Sequence, residues 1–180
     1  MSVSATADEL PRRDFLYLAT GATAAVAAGG AAWPILQSLG PSKAALSEAN
    51  VEVDLSSMEP GQRITVTWQK KPVFIDYRTE KQIAEAREIE IARLKDPATD
   101  AERVQRPEWL VVVGLCTHLG CIPLGQKSGD PLGNWGGWYC PCHGSQFDTS
   151  GRVRKGPAPT NLVVPPYEFF GDKMIRIGKA

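Results

Sequence analysis

Cys116-Thr117-His118-Leu119-Gly120-Cys121 and Cys140-Pro141-Cys142-His143-Gly144-Ser145 decide how this chain is read, because they hold all four of its cysteines and both of its histidines. Each stretch offers a cysteine and a histidine in nearly one pattern, Cys116-x-His118 and Cys140-x-x-His143. Each also has a further cysteine, Cys121 or Cys142. Thiolate sulfur and neutral imidazole nitrogen are ligands for soft and borderline transition metals. Three readings follow. A structural zinc site would use two cysteines and two histidines, but zinc ligands usually pair as C-x₂₋₄-C and H-x₃₋₅-H, whereas here each pair is mixed. Two structural disulfides would leave no reason for a histidine to stand beside cysteine in both stretches. In an iron–sulfide centre, imidazoles can replace two of the four thiolates on one iron of a [2Fe–2S] unit.

On these residues the sequence resembles the Rieske iron–sulfur family. The resemblance implies that Cys116 and Cys140 hold the buried iron and His118 and His143 the outer iron of one [2Fe–2S] cluster. It also implies that Cys121 and Cys142 form a disulfide clamping the two loops. That extra pair marks the quinol-oxidising type, since the ferredoxins of ring-hydroxylating oxygenases lack it. Ser145 matches a family serine whose hydroxyl bonds a bridging sulfide. Phe147 departs from the pattern, because many relatives of the bc1 type carry there a tyrosine that donates to a cluster cysteine, here Cys116. Gly156-Pro157-Ala158-Pro159 resembles the proline loop that covers the cluster, so Pro157 and Gly144 are placed with Ser145 around it.

The function implied is that of the iron–sulfur subunit of a bacterial cytochrome bc1 complex. Such a subunit accepts an electron and a proton from ubiquinol and passes the electron to cytochrome c1, contributing to proton-motive force. His143 is the expected quinol-facing ligand, with His118 also near the surface, because the ring nitrogen not bound to iron remains free to take a proton. Leu119 is the expected apolar rim docking into the quinol pocket of cytochrome b. Alternatives are the small subunit of an exported molybdenum oxidase such as arsenite oxidase, an oxygenase ferredoxin, and a zinc-binding structural protein.

The N-terminus bears on compartment. Residues 15–42 contain no charged side chain, between Asp14 and Lys43, and about 20 apolar residues span a bilayer as a helix. Pro11-Arg12-Arg13-Asp14-Phe15-Leu16 resembles a twin-arginine export signal, the route for proteins that fold around a cofactor before export. Basic residues ahead of the span keep the N-terminus cytoplasmic, so the body is expected in the periplasm at the bacterial inner membrane, where a disulfide persists. A signal peptide cut near Ala44-Ala45 is the competing reading. The run is longer than a signal core of 7–15 residues, and Gly21, Ala25 and Gly29 share one face, as in helices that pack closely in lipid. Pro34 is expected to bend the helix.

The 180 residues suffice for one core with additional segments. Lys plus Arg and Asp plus Glu number 20 each, so charge gives no argument for a nucleic-acid partner, and none is expected. The division read from the sequence is a cytoplasmic end at 1–14, an anchor at 15–39, a Gly-Pro-led hinge linker at 40–50 and a periplasmic domain at 51–180. Any dimerisation belongs to the whole complex.

Short β-type runs at 51–55, 63–69, 72–77, 109–114, 138–140, 146–148, 162–164 and 174–177, with Gly and Pro between them, predict an all-β fold. The expected architecture is an antiparallel β-sandwich with one inserted helix, a small cluster-binding subdomain at 115–161 and a single N-terminal transmembrane helix. The inserted helix starts at the capping box Thr79-Glu80-Lys81-Gln82 and is expected to run to Lys95, where Asp96-Pro97 stops it. Glycines 133, 136, 137, 144 and 151 around the second loop suit tight turns.

Overall fold

The computed structural model describes residues 11–40 and 49–178. The chain divides into two compact units, residues 1–45 and 46–180. In the first, α1 (Arg12–Ser38) begins on Pro11, whose carbonyl accepts the Asp14 and Phe15 amides at 2.8 and 3.1 Å. Asp14 in the first turn places negative charge at the positive end of the helix dipole. The helix continues through Pro34 and is long and apolar enough to cross a membrane. At 1.5 Å per residue it extends about 40 Å, against a hydrocarbon core of about 30 Å. Residues 41–48, most of the expected hinge, lie outside the described residues.

The second unit is built on three three-stranded antiparallel sheets among the described residues. Strands β2 (Arg63–Trp68) and β3 (Lys71–Tyr77) form a hairpin, and β4 (Trp109–Val113) pairs with β3 from Val73↔Val113 to Tyr77↔Trp109. The hairpin turn is Gln69-Lys70, with φ of 48° and 61°. Positive φ at both central residues is the twist a two-residue hairpin requires, normally met by Asn-Gly. A second sheet joins the domain's ends in the order β1 (Val51–Asp54), β9 (Met174–Ile177), β8 (Tyr167–Phe169). The third runs β5 (Gly136–Cys140), β6 (Ser145–Asp148), β7 (Val153–Lys155).

Side chains alternate across a strand, and β3 and β4 use both faces. Val73, Ile75, Trp109 and Val111 join Leu55, Tyr167, Ile175 and Ile177 in one buried cluster. Phe74, Leu110 and Val112 join Cys116, Trp138, Cys140, Phe147, Val153, Ala158 and Leu162 in the other. The middle sheet is therefore covered on both sides, which is why Trp-Leu-Val-Val-Val reads as an unbroken apolar run. Each such side chain contributes about 1.5–3 kcal/mol on full burial, so the second cluster fastens the cysteine loops to the sandwich.

Charged pairs tie the long connections down. Arg63 bonds Asp76 at 3.0 Å, the carbonyls of Gly125, Gly137 and Gly136 at 2.8, 2.9 and 3.1 Å, and lies over the Trp138 ring. Buried Arg78 grips the Asp100 carboxylate at 2.6 and 3.2 Å, and the Ser150 hydroxyl donates to the same carboxylate. Arg152, fully buried, bonds Asp148 at 2.9 Å and the Ala86 carbonyl at 2.7 Å.

Two expectations from local pattern are corrected. The inserted helix, α2 (Glu80–Arg87), has the expected Thr79–Gln82 capping box but ends at Arg87, followed by a short 3₁₀ turn at Ile91–Arg93. Helix propensity extends further, but Leu94 is buried in an extended conformation, and packing overrides propensity. Residues 162–164 form no strand: Leu162 bonds Gly151 and Val163 accepts from Val113, each singly. Pro165 and Pro166, without amide hydrogens, follow directly. Strands β7 and β8 lie outside the predicted runs.

Candidate metal centre

β4 delivers the chain through Gly114 to Cys116, and the first loop closes on itself. Cys116 N–H donates to the Cys121 carbonyl at 2.8 Å and Gly120 N–H to the Cys116 carbonyl at 2.8 Å. The second loop connects β5 to β6: Cys140 pairs with Ser145, and Gly144 N–H donates to the Cys140 carbonyl at 2.9 Å. Both loops thus make one turn from a cysteine to a glycine four residues on. Gly120 and Gly144 have φ of 78° and 77°, a conformation that strains any residue with a Cβ. The shared Cys-x-x-x-Gly spacing is a sequence signal beyond the Cys/His pattern. Leu124 and Tyr139 exchange backbone bonds at 2.7 and 3.0 Å, stitching the loops together.

This folding separates the cysteines by depth. Cys116 and Cys140 are each 2% exposed, Cys121 is half-buried and Cys142 exposed. His118 is half-buried and His143 exposed, and their rings meet edge to face with centroids 4.6 Å apart. The sulfurs of Cys121, Cys140 and Cys142 lie within 4.8 Å of one another, and all four cysteines are present as thiols. That sulfur trio crosses the division implied by the resemblance, whereas depth follows it. Burial pushes the Cys140 thiol up to about 12, and its hydrogen bond with the Cys116 thiol adds to this. The Cys121 thiol is raised first by its hydrogen bond with Cys142, then by burial. Cys121 also bonds Cys140, so the four sulfurs form one interacting group.

The donor set fits a [2Fe–2S] group. The two loops offer two buried sulfurs, Cys116 and Cys140, and two more accessible imidazoles, His118 and His143, and a bound cation turns a coordinating thiol into a thiolate. The surroundings are built around the same spot. Ser145 is buried, and its hydroxyl oxygen accepts the Ala158 amide at 3.1 Å, leaving its hydrogen to donate elsewhere. Gly156 has φ of 94°, and a Cβ there would lie 2.5 Å from Ser145 Cα. Pro157 is exposed, Leu119 is 72% exposed at the tip of the first loop, and Phe147 is fully buried in the cluster that contains both buried cysteines. A cavity of 590 Å³ among the described residues is lined by Lys81, Trp135, Arg154 and neighbours, and by no residue of either loop. Lys95, Asp96, Thr117 and Asn161, to which the sequence reading gave no role at the centre, bond around residues 156–161.

Residues 55–168 match the Rieske [2Fe-2S] domain, and the chain belongs to that family and carries its [2Fe–2S] cofactor. Residues 3–42 match the family described as "Ubiquitinol-cytochrome C reductase Fe-S subunit TAT signal". The chain is 54% identical over 177 residues to the ubiquinol-cytochrome c reductase iron-sulfur subunit of Rhodospirillum rubrum, covering 98% of this chain and 97% of that one. It is 47% identical over 166 residues to the cytochrome b-c1 complex subunit Rieske of Saccharomyces cerevisiae mitochondria, covering 91% and 75%. Among solved structures, a chain of a hyperthermophilic respiratory Complex III aligns with TM-score 0.57 and 28% identity over 88% of this chain and 98% of that one.

Proposed function

We propose that this chain is the iron–sulfur subunit of a bacterial cytochrome bc1 complex, taking one electron from ubiquinol and delivering it to cytochrome c1. The observation that carries the reading is the pair of loops: two histidine rings 4.6 Å apart, each in a loop that also holds a cysteine 2% exposed. It stands in a chain 54% identical to a ubiquinol-cytochrome c reductase subunit. That similarity favours this reading over the molybdenum-oxidase and oxygenase-ferredoxin alternatives. A [2Fe–2S] cluster, when bound, supplies a one-electron acceptor with sulfur ligands on one iron and nitrogen ligands on the other.

The side chains have separate roles. Cys116 and Cys140 anchor the inner iron, and His118 and His143 the outer one. Exposed His143 accepts the hydrogen bond of the quinol hydroxyl and then its proton. Leu119 forms the apolar rim that seats the tip against cytochrome b. Cys121 and Cys142 form a disulfide that holds the loops together, while Ser145, Gly144 and Pro157 pack around the cluster. α1 anchors the subunit in the bacterial inner membrane, with Arg12 and Arg13 on the cytoplasmic side and the domain from 51 onward in the periplasm. Residues 40–50 serve as the hinge, 115–161 as the cluster-binding subdomain, and the assembled complex is dimeric, conserving the reaction's energy as proton-motive force.

The test is electron paramagnetic resonance of reduced membranes, with and without a quinol-site inhibitor, combined with iron and sulfide analysis. The wild-type signal shifts with inhibitor, and Cys140→Ala and His143→Ala lose iron and signal together. Full iron, sulfide and signal in either variant overturns the ligand assignment, and a signal indifferent to inhibitor overturns the quinol reading.

A further inference from the structure

Between α2 and β4, Lys95 and Asp96 reach the loop formed by residues 156–161. Lys95 Nζ donates to the Ala158 carbonyl at 2.8 Å and to the Gly156 carbonyl at 3.5 Å. One residue on, the Asp96 carboxylate accepts the Asn161 amide at 2.8 Å, and the Asp96 carbonyl accepts Asn161 Nδ2 at 3.0 Å. Asn161 Oδ1 then accepts the Val153 amide at 2.9 Å, tying the end of the loop to β7. The two cysteine loops bond the same residues. Ser145 Oγ accepts the Ala158 amide at 3.1 Å, and Thr117 Oγ1 donates to the Thr160 carbonyl at 2.7 Å. Residues 156–161 are thus held at their start by Lys95, at their end by Asp96, and between by the loops of the metal centre.

Two physical consequences follow. Fixing a lysine side chain costs up to about 2 kcal/mol of rotamer entropy, so two carbonyl acceptors turned toward one ammonium mark a specific arrangement. The ammonium also carries a full positive charge against peptide groups beside Ala158, which packs in the same buried cluster as Cys140, and Ala158 in turn bonds Ser145, which pairs with Cys140 across β5 and β6. A fixed positive charge favours whichever state of a nearby group is more negative.

We infer that Lys95 and Asp96 are positioning residues that latch residues 156–161 over the [2Fe–2S] site, and that the Lys95 charge favours its reduced state. The inference rests on the ligand reading above, and it assigns a role to a segment that sequence pattern reads only as the end of the inserted helix. Lys95 acts through the loop and touches neither quinol nor iron.

The experiment uses the full chain in its membranes, loaded with iron and sulfide, as wild type, Lys95→Met, Lys95→Arg and Asp96→Ala. Two quantities are read: amide hydrogen exchange at Ala158 and Asn161, and the reduction potential from a redox titration followed by paramagnetic resonance. Lys95→Met is expected to speed exchange at Ala158 by about threefold to tenfold, the loss of one modest hydrogen bond. It also lowers the potential, by a margin that narrows as salt screens the exposed charge. Lys95→Arg restores both, and Asp96→Ala speeds exchange at Asn161. Amides of β4 stay unchanged throughout. Wild-type exchange in Lys95→Met overturns the latch, even with a lowered potential. Faster exchange that includes β4 overturns it too, since the effect is then general loosening. If the ligand reading itself is wrong, the paramagnetic signal survives loss of a ligand residue while the exchange pattern at Ala158 and Asn161 stands.

Discussion

Introducing the missing hydroxyl by Phe147→Tyr probes the metal centre from its buried side. Phe147 is fully buried in β6, opposite Trp138 of β5 and Val153 of β7, and belongs to the same apolar cluster as Cys116 and Cys140. A new phenol oxygen there is cut off from water and must bond within the protein. If the ring points its para position at Cys116 sulfur, the hydroxyl donates to a ligand that gains negative charge on reduction. A preference of about 1 kcal/mol for the reduced state corresponds to roughly 40 mV for a one-electron couple, on the scale of about 59 mV per tenfold. The potential should therefore rise by about 40 mV with little change in stability. If the hydroxyl finds no partner, the cost is about 1–3 kcal/mol of folding free energy, seen as a lower Tm with the potential unmoved. Redox titration of the paramagnetic signal in membranes, alongside thermal unfolding, separates the two. Ser145→Ala supplies the opposite sign: it removes a donor and orphans the Ala158 amide, so the potential falls. An unchanged or lower potential in fully loaded Phe147→Tyr refutes the placement of Phe147 beside Cys116.

Gly156→Ala should cost at least about 2 kcal/mol, because a positive φ is strained for alanine and its Cβ would meet Ser145 Cα at 2.5 Å and Gly144 O at 2.8 Å. Gly120→Ala, with no atom within 4 Å, should cost only the strain, so equal losses of Tm and iron retention in the two variants would contradict the packing argument. Asp100→Asn leaves buried Arg78 without its countercharge and should destabilise by about 3–5 kcal/mol at neutral pH. Burial alone would raise the Asp100 carboxyl, but hydrogen bonds from Arg78 and Ser150 outweigh it and hold it below 3.8. Its stabilisation is thus complete above 3.8 and fades as pH falls through the lower folded value. Thermal melts should show the wild-type advantage closing only in strong acid, and a gap already closed at pH 6 would contradict the sign. Replacing Cys121 and Cys142 together by serine should leave iron loaded but more easily lost, and native mass spectrometry without reductant should find the wild type lighter by two hydrogens. Free thiols at both positions in the exported protein would remove the clamp.

The sequence determined the chemistry, and did so locally. Cys and His concentrated in two six-residue stretches limit the metal, a charge-free run behind Arg12 and Arg13 gives α1, and Thr79 with Gln82 starts α2, because ligand type, hydropathy and capping depend on neighbours a few residues apart. Strands β1 to β6 and β9 were legible for the same reason, their β-branched and aromatic residues lying between turn formers. Tertiary structure alone decided which face each strand buries, since Val73 and Phe74 point into different clusters although both read simply as apolar. It also ended α2 at Arg87, where Leu94 turns inward, and formed β8 by pairing Tyr167 with Ile177, a choice made by partners distant along the chain. Depth was settled in the same way. Cys116 and Cys121 look alike in sequence, yet one is buried with Ala158 and Leu162 and the other is only half-buried, because only the packing of the sheet β5-β6-β7 on the sheet β2-β3-β4 fixes which sulfur loses water.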